Sequence, residues 1–375
     1  MTRLPAFSPP EEALATPPCP HFEECGACQL QHVTPDFYHR WKEDQVKELL
    51  VQNDVAPEVW EPPVFIPAGT RRRVSFLARK GDENKVEVGF SKFHTHDLMP
   101  VGSCLLLTPA LEEVLTKLPE ALALIIPKAV DIDVFLQEAD GGLLECVLTG
   151  MSEQNARQTA KVADFARECN LARVSFRAGE RDEPLSVIDQ ARLTKTSGGL
   201  CAELPPGAFL QPSHSGEEAL VAAVLKGLGK LTKKMKVVDL FAGIGTFAGR
   251  IAEIGFVDAV EGDPRMAAAL AQAVKANARM KAEFRDLFKE PVTARELRSY
   301  SAVVFDPPRS GAKEQCQKLA ASDVPLVVGV SCNPATFARD AKILKGGGYR
   351  LVSAQVIDQF IYSSHVEIVG VFKKG

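Results

Sequence analysis

The sequence predicts an α/β protein that has a doubly wound parallel sheet in its C-terminal half and a separate, mainly β domain in the middle of the chain. Alternating strand and helix patterns after Pro205-Pro206 predict the parallel sheet. Short β-rich runs broken by Gly, Asn and Asp predict the mainly antiparallel strands that precede it. The length of 375 residues agrees with this division, since a domain usually holds about 150 residues.

Composition excludes several protein classes. Hydrophobic residues make up 46% of the chain and charged residues 25%, as is usual for a globular protein. No apolar run approaches the roughly 18 residues of a membrane-spanning helix, and the first residues lack the apolar core of a signal peptide. We therefore expect a cytoplasmic protein without a membrane partner. The net charge of −4 argues against a protein that coats nucleic acid but permits local contact with RNA.

The N-terminal half starts with a proline-rich stretch, residues 1–18, for which we expect a flexible tail. Basic residues are concentrated from Arg71 to His96, which makes that stretch a candidate phosphate-facing surface or a solvated pair of strands. The spacing of apolar residues, and the Pro, Gly, Asn and Asp residues that interrupt it, predict the elements of this half. They are a helix at residues 36–52, β-rich runs over residues 71–188, and helical inserts near residues 110–123 and 153–169.

The C-terminal half carries a glycine loop between a strand and a helix. The strand at residues 236–240 runs into Gly243-x-Gly245-x-x-Ala248, which lets the backbone approach a ligand at the carboxyl edge of the sheet. Glu261 ends the next strand about 20 residues on, where a carboxylate can bind a ribose diol. This pattern fits a dinucleotide, S-adenosylmethionine or a simple tight turn. The remaining predicted elements are helices at residues 216–228, 246–254 and 264–280, and strands at residues 257–260 and ending at Asp306 and Cys332.

Two strand ends carry reactive side chains. Asp306 begins Asp-Pro-Pro-Arg, in which two prolines fix the loop, and a dinucleotide site does not explain this pattern. Cys332 ends another strand, immediately before Asn333-Pro334. A thiolate in an accessible polar position is a strong nucleophile, so Cys332 is a candidate for covalent catalysis. A buried structural cysteine is the alternative.

Three of the 9 cysteines are clustered, since Cys19, Cys25 and Cys28 form C-x5-C-x2-C. Four thiolates can hold zinc or a [4Fe–4S] cluster, so a fourth ligand has to come from elsewhere in the chain. The spacing matches neither a zinc ribbon nor the C-x3-C-x2-C signature of radical enzymes. We expect the remaining dispersed cysteines to be ordinary buried ones, namely Cys146, Cys169, Cys201 and Cys316.

Taken in order, these motifs resemble those of the RNA 5-methyluridine methyltransferases. The resemblance runs from about residue 19 to residue 375 and rests on Cys19-x5-Cys25-x2-Cys28, Phe209-x-Gln211, Asp239-x-Phe241-x-Gly243-x-Gly245, Asp306-Pro307-Pro308-Arg309, Ser331-Cys332-Asn333-Pro334 and His365-Val366-Glu367. The sequence is most similar to the bacterial branch that acts on 23S ribosomal RNA and carries an iron–sulfur cluster. It departs from the family at Gln211-Pro212-Ser213 and at Gly89-Phe90-Ser91, which leaves the choice of target open.

The resemblance implies a division of the chain. Residues 206–375 would form a Rossmann-like class I methyltransferase domain. Residues 19–30 and 64–205 would form the central β domain, which carries the iron–sulfur cluster and binds RNA. The linker at residues 31–63 would pack its helix on the catalytic domain. We expect a monomer and, because only residues 1–18 precede the cysteines, no N-terminal RNA-binding barrel.

The resemblance also implies a reaction, the transfer of a methyl group from S-adenosylmethionine to C5 of a uridine. Uracil C5 is too weak a nucleophile by itself, but a thiolate added at C6 produces an enolate that can attack the sulfonium methyl. Cys332 would be this nucleophile, and Glu367 would remove the C5 proton. Without the resemblance, the pattern favours an exposed polar role for Glu367 in a terminal strand.

The ligands follow from the same resemblance. S-adenosylmethionine would bind to Gln211, Phe241, Thr246, Glu261, Asp286 and Asp306. Cys104 would complete a structural [4Fe–4S] site with Cys19, Cys25 and Cys28. Phe209 would stack on an unpaired nucleobase or else pack in the core. Two other functions are open at this point: the same reaction on transfer RNA, and a non-catalytic RNA-binding or redox-sensing iron–sulfur protein.

Overall fold

The computed structural model describes residues 8–81, 83–93, 95–151 and 159–375. Its strands are β1 (Val59–Trp60), β2 (Val64–Phe65), β3 (Arg73–Lys80), β4 (Val86–Ser91), β5 (Leu98–Pro100), β6 (Asp131–Glu138), β7 (Leu144–Thr149), β8 (Leu171–Arg177), β9 (Leu185–Asp189), β10 (Thr194–Ser197), β11 (Leu200–Glu203), β12 (Lys236–Leu240), β13 (Phe256–Glu261), β14 (Met280–Phe284), β15 (Ala302–Phe305), β16 (Leu326–Ser331), β17 (Tyr349–Asp358) and β18 (Glu367–Lys374). The α-helices are α1 (Pro35–Gln52), α2 (Pro109–Leu122), α3 (Thr159–Glu168), α4 (His214–Leu228), α5 (Thr246–Ile251), α6 (Pro264–Ala273), α7 (Ala294–Leu297), α8 (Lys313–Ala320) and α9 (Pro334–Gly346). Among these residues no helix is both long and apolar enough to cross a membrane.

The middle of the chain forms a sheet of seven strands in the order β5-β4-β3-β6-β7-β8-β9. All neighbouring strands are antiparallel except β7 and β8, which are parallel because α3 crosses over between them. The apolar faces of α2 and α3 pack on this sheet, and Leu118 and Phe165 are fully buried in the shared core. The predicted start of α3, near residue 153, lies outside the described residues.

The C-terminal half forms a sheet of nine strands with the path β1-β17-β18-β16-β15-β12-β13-β14, and β2 also pairs with β17. Strands β12 to β16 are parallel to one another, whereas β18 is antiparallel to both β16 and β17. Parallel strands joined by helices end at the same edge of a sheet. The carboxyl ends of β12, β13, β15 and β16 therefore lie side by side.

Helix α1 packs on the nine-stranded sheet, although it lies between segments of the other domain in the sequence. Val46 and Leu50 are fully buried in the same core as Val303 and Leu344. The chain then runs along the outer edge of β17, where β1 and β2 pair with it. The sequence placed residues 64 and 65 in the central domain, and this boundary is wrong. An exposed edge of β17 offers unpaired backbone groups, and the extended proline-rich chain satisfies them.

The expectation of a flexible tail is wrong for residues 11–15. Glu11–Ala13 forms a 3-10 helix, and Leu14 forms an antiparallel bridge with Val33. Ala13 is buried, and its carbonyl oxygen accepts a hydrogen bond from Thr34 N at 2.8 Å. A short apolar segment between prolines carries too weak a pattern to predict this contact. Residues 1–7 of the expected tail lie outside the described part of the chain.

Two helices of the parallel domain are shorter than the pattern predicted. Helix α5 ends at Ile251 instead of residue 254, and α6 ends at Ala273, before a 3-10 turn at Val274–Ala276. The predicted end of α6, Met280, is the first residue of β14. Apolar periodicity continues through Val274 and Met280 because both pack in the core, so periodicity alone does not show where the helix ends.

Candidate active site

A cavity of about 1050 Å³ lies at the carboxyl edge of the nine-stranded sheet, and residues of both domains line it. The central sheet contributes Arg71, Arg73 and Phe135, and the segment that connects the domains contributes Phe209. All eight residues that the sequence assigned to catalysis or cosubstrate binding line this cavity: Gln211, Phe241, Thr246, Glu261, Asp286, Asp306, Cys332 and Glu367.

The loop between β12 and α5 has a backbone that needs glycine. Gly245 has a φ of 93°, and a Cβ atom there would lie 2.4 Å from Cδ2 of Leu200. Phe241 also has a positive φ, 61°, which is uncommon for a bulky residue. Asp239 is fully buried, and its carboxylate accepts a hydrogen bond from Ala248 N at 2.9 Å. This contact fixes the loop against the first turn of α5.

Glu261 presents its carboxylate to the backbone at the end of β13. One oxygen accepts a hydrogen bond from Gly243 N at 2.7 Å. The other oxygen accepts from Gly262 N at 2.8 Å and from Asp263 N at 2.6 Å. Three N–H groups hold the carboxylate at the cavity wall, next to the glycine loop. Such an oriented carboxylate is suited to accept hydrogen bonds from the hydroxyls of a ribose.

The far wall of the cavity is formed after β14. The rings of Phe241 and Phe288 lie 5.5 Å apart between centroids and form an apolar surface. Asp286 lies beside them, accepts a hydrogen bond from Phe288 N at 3.1 Å and pairs with Lys289 at 2.8 Å. The Lys289 ammonium lowers the pKa of Asp286 below its ordinary value. An apolar wall with an ionised acceptor at its rim fits a heterocycle that carries an amine.

A chain of amide contacts connects the two buried acids of the cavity. Gln359 Nε2 donates to Glu367 Oε1 at 3.1 Å and to Gln211 Oε1 at 2.8 Å. Gln211 Nε2 in turn donates to Asp306 Oδ2 at 3.3 Å. The sequence did not single out Gln359, because no motif surrounds it and its partners are distant in the chain. Its place beside Glu367 depends on the antiparallel pairing of β17 and β18.

Two acids and the thiol near the ends of β15, β16 and β18 have pKa values above their ordinary ones. Burial raises the pKa of Asp306 to about 7. Burial, and then the charge of Asp306, raise the pKa of Glu367 to about 8. The pKa of Cys332 rises to about 12, through burial and the nearby Glu367 and Asp306 carboxylates. Arg309 acts in the opposite direction on both Cys332 and Glu367. Glu367 is buried, so the exposed role that the pattern alone favoured is wrong.

Phe209 stands at the mouth of the cavity. Its side chain is 53% exposed, so the alternative of a core phenylalanine is wrong. The guanidinium carbon of Arg73 lies 4.5 Å from the ring centroid, and Arg73 Nη1 donates to Leu210 O at 2.7 Å. The cation fixes one face of the ring and the backbone beside it.

The arginines of the basic stretch have different surroundings. Arg72 is buried, pairs with Glu217 at 2.6 Å and donates to Gln211 O at 2.9 Å. Arg79 pairs with Asp131 at 2.5 Å on the surface. Arg71 and Arg73 line the cavity. Only part of the predicted phosphate-facing surface therefore faces the cavity.

The four predicted metal ligands, Cys19, Cys25, Cys28 and Cys104, surround a second cavity of about 20 Å³. Burial raises the pKa of Cys28 to about 12 and that of Cys104 to about 11. In the described chain no three of these sulfurs lie within 4.8 Å of one another. Ala27 and Cys104 also line the large cavity, so the two sites share a wall.

One prediction about the dispersed cysteines is wrong. Cys201 is exposed, whereas Cys146, Cys169 and Cys316 are buried as expected. Strand β11 alternates between buried and exposed positions, and Leu200 occupies an inward position next to Cys201. Cys201 therefore points outward.

The parallel sheet, the glycine loop and the acidic strand ends agree with the class I methyltransferase fold that the sequence predicted. Residues 203–374 match the tRNA (uracil-5-)-methyltransferase family model. An uncharacterized RNA methyltransferase of Rhizobium meliloti is 38% identical, over 96% of this chain and 86% of its own length. The 23S rRNA (uracil(1939)-C(5))-methyltransferase RlmD of Pseudomonas fluorescens is 34% identical, over 95% of this chain and 78% of its own length.

Among solved structures, the tRNA (uracil-54, C5)-methyltransferase of Pyrococcus abyssi, crystallised with S-adenosyl-L-homocysteine, superposes with a TM-score of 0.71. It is 21% identical, and the match covers 94% of this chain and 86% of that one, which shows the shared fold. The chain belongs to the RNA uracil-C5 methyltransferase family and is an S-adenosylmethionine-dependent enzyme. This membership decides against the non-catalytic alternative.

The raised pKa values predict how stability depends on pH. The folded state holds protons on Asp306 and Glu367 more tightly than the unfolded state does, so the stability that these groups contribute is lost as pH rises through about 7 and about 8. We expect the unfolding temperature to fall more between about pH 5 and about pH 9 in the wild-type protein than in the variant Asp306→Asn/Glu367→Gln. Calorimetry at both pH values measures this difference. An equal fall of the unfolding temperature in the two proteins would contradict the raised pKa values of Asp306 and Glu367.

Proposed function

We propose that the enzyme methylates a uridine of 23S ribosomal RNA through a covalent adduct between Cys332 and C6 of the base. One observation carries the proposal: Cys332 and Glu367 face the same cavity, close enough for the carboxylate to raise the pKa of the thiol. The similarity to RlmD of Pseudomonas fluorescens supports the choice of 23S ribosomal RNA. The cysteine set supports it too, because it follows the pattern of the ribosomal branch.

The reaction begins with addition of the Cys332 sulfur to C6. The thiol first gives up its proton to Asp306, the other carboxylate near Cys332, which leaves Glu367 free for the later step, and Arg309 favours the resulting thiolate. The electron pair of the C5–C6 double bond moves into an enolate, and C5 then takes the methyl group from the sulfonium, which leaves as S-adenosylhomocysteine. Glu367 removes the C5 proton, the C5–C6 double bond forms again, and the C6–S bond breaks to return the thiolate. The raised pKa of Glu367, about 8, gives the carboxylate the basicity that this step needs.

S-adenosylmethionine would lie between the glycine loop and Asp306. Glu261 accepts hydrogen bonds from the ribose hydroxyls, and Asp286 accepts one from the adenine amine. Asp306 and Gln211 then face the methionine portion or the target base. Thr246 and Phe241 complete the pocket, at the start of α5 and beside Phe288.

The target uridine has to leave its stack, because C6 is shielded within paired RNA. Phe209 offers an exposed ring at the cavity mouth, and Arg73 holds its other face. Stacking of a base on such a ring contributes about 1–3 kcal/mol in general. Arg71 and Arg73 place positive charge where the RNA backbone enters.

Cys19, Cys25, Cys28 and Cys104 are proposed to hold a [4Fe–4S] cluster. Four thiolates can bind either a tetrahedral zinc or a [4Fe–4S] cluster. The C-x5-C-x2-C spacing, which matches no zinc ribbon, supports the cluster. When bound, the cluster would join the N-terminal segment to the loop before α2 and thereby fix the wall that the two cavities share.

The catalytic roles predict opposite behaviour for two variants. Cys332→Ala should abolish both turnover and any RNA adduct that survives denaturing gel electrophoresis. Glu367→Gln should still form the adduct but release it slower by about 10²-fold or more, because the base is missing. Cys201→Ala, which changes an exposed cysteine, serves as the matched control and should retain full activity. An adduct in Cys332→Ala would refute the nucleophile assignment.

The RNA target is tested by mass spectrometry of 5-methyluridine in ribosomal and transfer RNA from cells with and without the gene. We expect the modification to disappear from one fragment of 23S ribosomal RNA. Loss from transfer RNA instead would keep the mechanism but reject the proposed target. Loss from neither pool, in cells without a redundant enzyme, would reject the function.

The cluster is tested by purifying the protein without oxygen. We expect about four iron and four sulfide per chain and a broad absorption in the visible range. Cys104→Ser should lower the iron content sharply, whereas Cys201→Ser should leave it unchanged. A colourless protein with stoichiometric zinc would overturn the proposal.

A further inference from the structure

The segment between β17 and β18, residues 359–366, forms one wall of the active-site cavity, and we call it the strap. Phe360, Ile361, Ser363 and His365 of the strap line the cavity. Gln359 opens the strap, and Glu367 follows it directly. The position of the strap therefore sets the position of the proposed base and of the amide that donates to it.

A buried ion pair holds the strap from outside the cavity. Lys42 of α1 is 0% exposed, and its ammonium lies 2.9 Å from Asp358 Oδ1. The same ammonium donates to Phe360 O at 3.4 Å and to His365 O. An ammonium has three N–H donors, and here all of them are used at the base of the strap or within it.

Tyr38, one turn before Lys42 on α1, adds two contacts. Its hydroxyl donates to Asp358 Oδ2 and accepts from Tyr362 N at 3.0 Å. Tyr362 has a positive φ of 58°, and its N–H and carbonyl groups both bind residues outside the strap. Together, Tyr38 and Lys42 contact the strap near its start, its middle and its end.

The cysteine segment provides a second attachment. Gln29 N and Leu30 N, directly after Cys28, both donate to Tyr362 O, at 2.7 Å and 3.0 Å. Leu30 and Tyr38 also belong to one small apolar core. Loss of Lys42 would therefore leave the strap attached at its middle but remove the ammonium that binds Phe360 O and His365 O near its two ends.

Stability alone is a weak reason for this arrangement. A buried ion pair is costly to desolvate, and well-packed apolar residues of similar size often stabilise a protein as well or better. The polar contacts here converge on backbone groups of a segment that lines the reaction cavity. Apolar residues could not donate hydrogen bonds to those backbone carbonyl groups and could not hold the segment in this way.

We propose that Lys42 is a positioning residue that, through Asp358 and the strap, aligns Gln359 and Glu367 for removal of the C5 proton. The inference rests on the proposed function of Glu367. Lys42 itself does not touch the substrate, since it is enclosed between α1 and the strap. We expect Lys42 to affect the release of the adduct. Formation of the Cys332–C6 bond should change little, because Cys332 directly follows β16 and is not part of the strap.

The test compares adduct formation with adduct release. The probe is a 23S ribosomal RNA transcript that carries tritium at C5 of uridine, so that tritium release reports removal of the C5 proton. Lys42→Met leaves Asp358 unpaired and can fail to fold, so Lys42→Met/Asp358→Asn, which keeps the acceptor oxygen at position 358, is the main variant. Lys47→Met, which removes a half-buried lysine further along α1, is the matched control.

We expect the double variant to form the adduct at close to the wild-type rate and to release tritium about 10- to 100-fold more slowly, so that adduct accumulates. Hydrogen exchange should quicken at residues 360–365 and stay unchanged in β12. Equal slowing of both steps, or tritium release at the wild-type rate, would overturn the positioning role.

The wild-type enzyme and Glu367→Gln serve as references, so that a failure of this proposal can be told apart from a failure of the proposed function. If Glu367→Gln accumulates adduct and the double variant does not, only the role of Lys42 fails. If neither wild type nor Glu367→Gln forms an adduct with this transcript, the proposed function itself fails, and the role of Lys42 fails with it.

Discussion

The burial of Asp306 and Glu367 beside the thiol of Cys332 is the constraint on which the rest of the site depends. Parallel strands β15 and β16 end at one edge, and β18 runs back beside β16, so three groups that become negative on ionisation share one cavity. Desolvation raises the pKa of all three groups, and neighbouring carboxylates raise those of Glu367 and Cys332 further. A positively charged sulfonium bound in this cavity would act in the opposite direction, because it would favour the ionised forms that the proposed reaction needs.

The same cavity requires support from the central domain. Arg72 and Lys195 both pair with buried Glu217, at 2.6 Å each, and Arg72 also holds the carbonyl of Gln211. The segment that carries Phe209 and Gln211 is thus fixed between the central sheet and the start of α4. These buried charges connect the two domains where the base would enter. A change that displaced Arg72 would therefore also displace Gln211 at the cavity wall.

The sequence predicted which residues lie at the carboxyl ends of the parallel strands. This was possible because parallel strands end at one edge of the sheet, however long the segments that connect them are. Asp306 and Cys332 could be placed at one edge on that ground alone. Gln359 and Lys42 could not, since their contacts depend on strand pairing and helix packing between residues that are far apart in the chain. The pairing of Val64–Phe65 with β17 was missed for the same reason, because a two-residue strand leaves no periodic pattern.

The location of the cysteine segment suggests why a cluster would be useful in an enzyme whose reaction transfers no electrons. Ala27 and Cys104 line the active-site cavity, and Gln29 and Leu30 hold the strap at Tyr362. The segment between Cys19 and Leu30 contains no regular helix or strand, and turn hydrogen bonds such as Cys25 N to His21 O, together with contacts to Ser91 and Tyr362, hold its backbone. A cluster bound by four thiolates would link this segment covalently to the loop that carries Cys104. That link would fix the shared wall of the two cavities and, through Tyr362, the strap that leads to the proposed base.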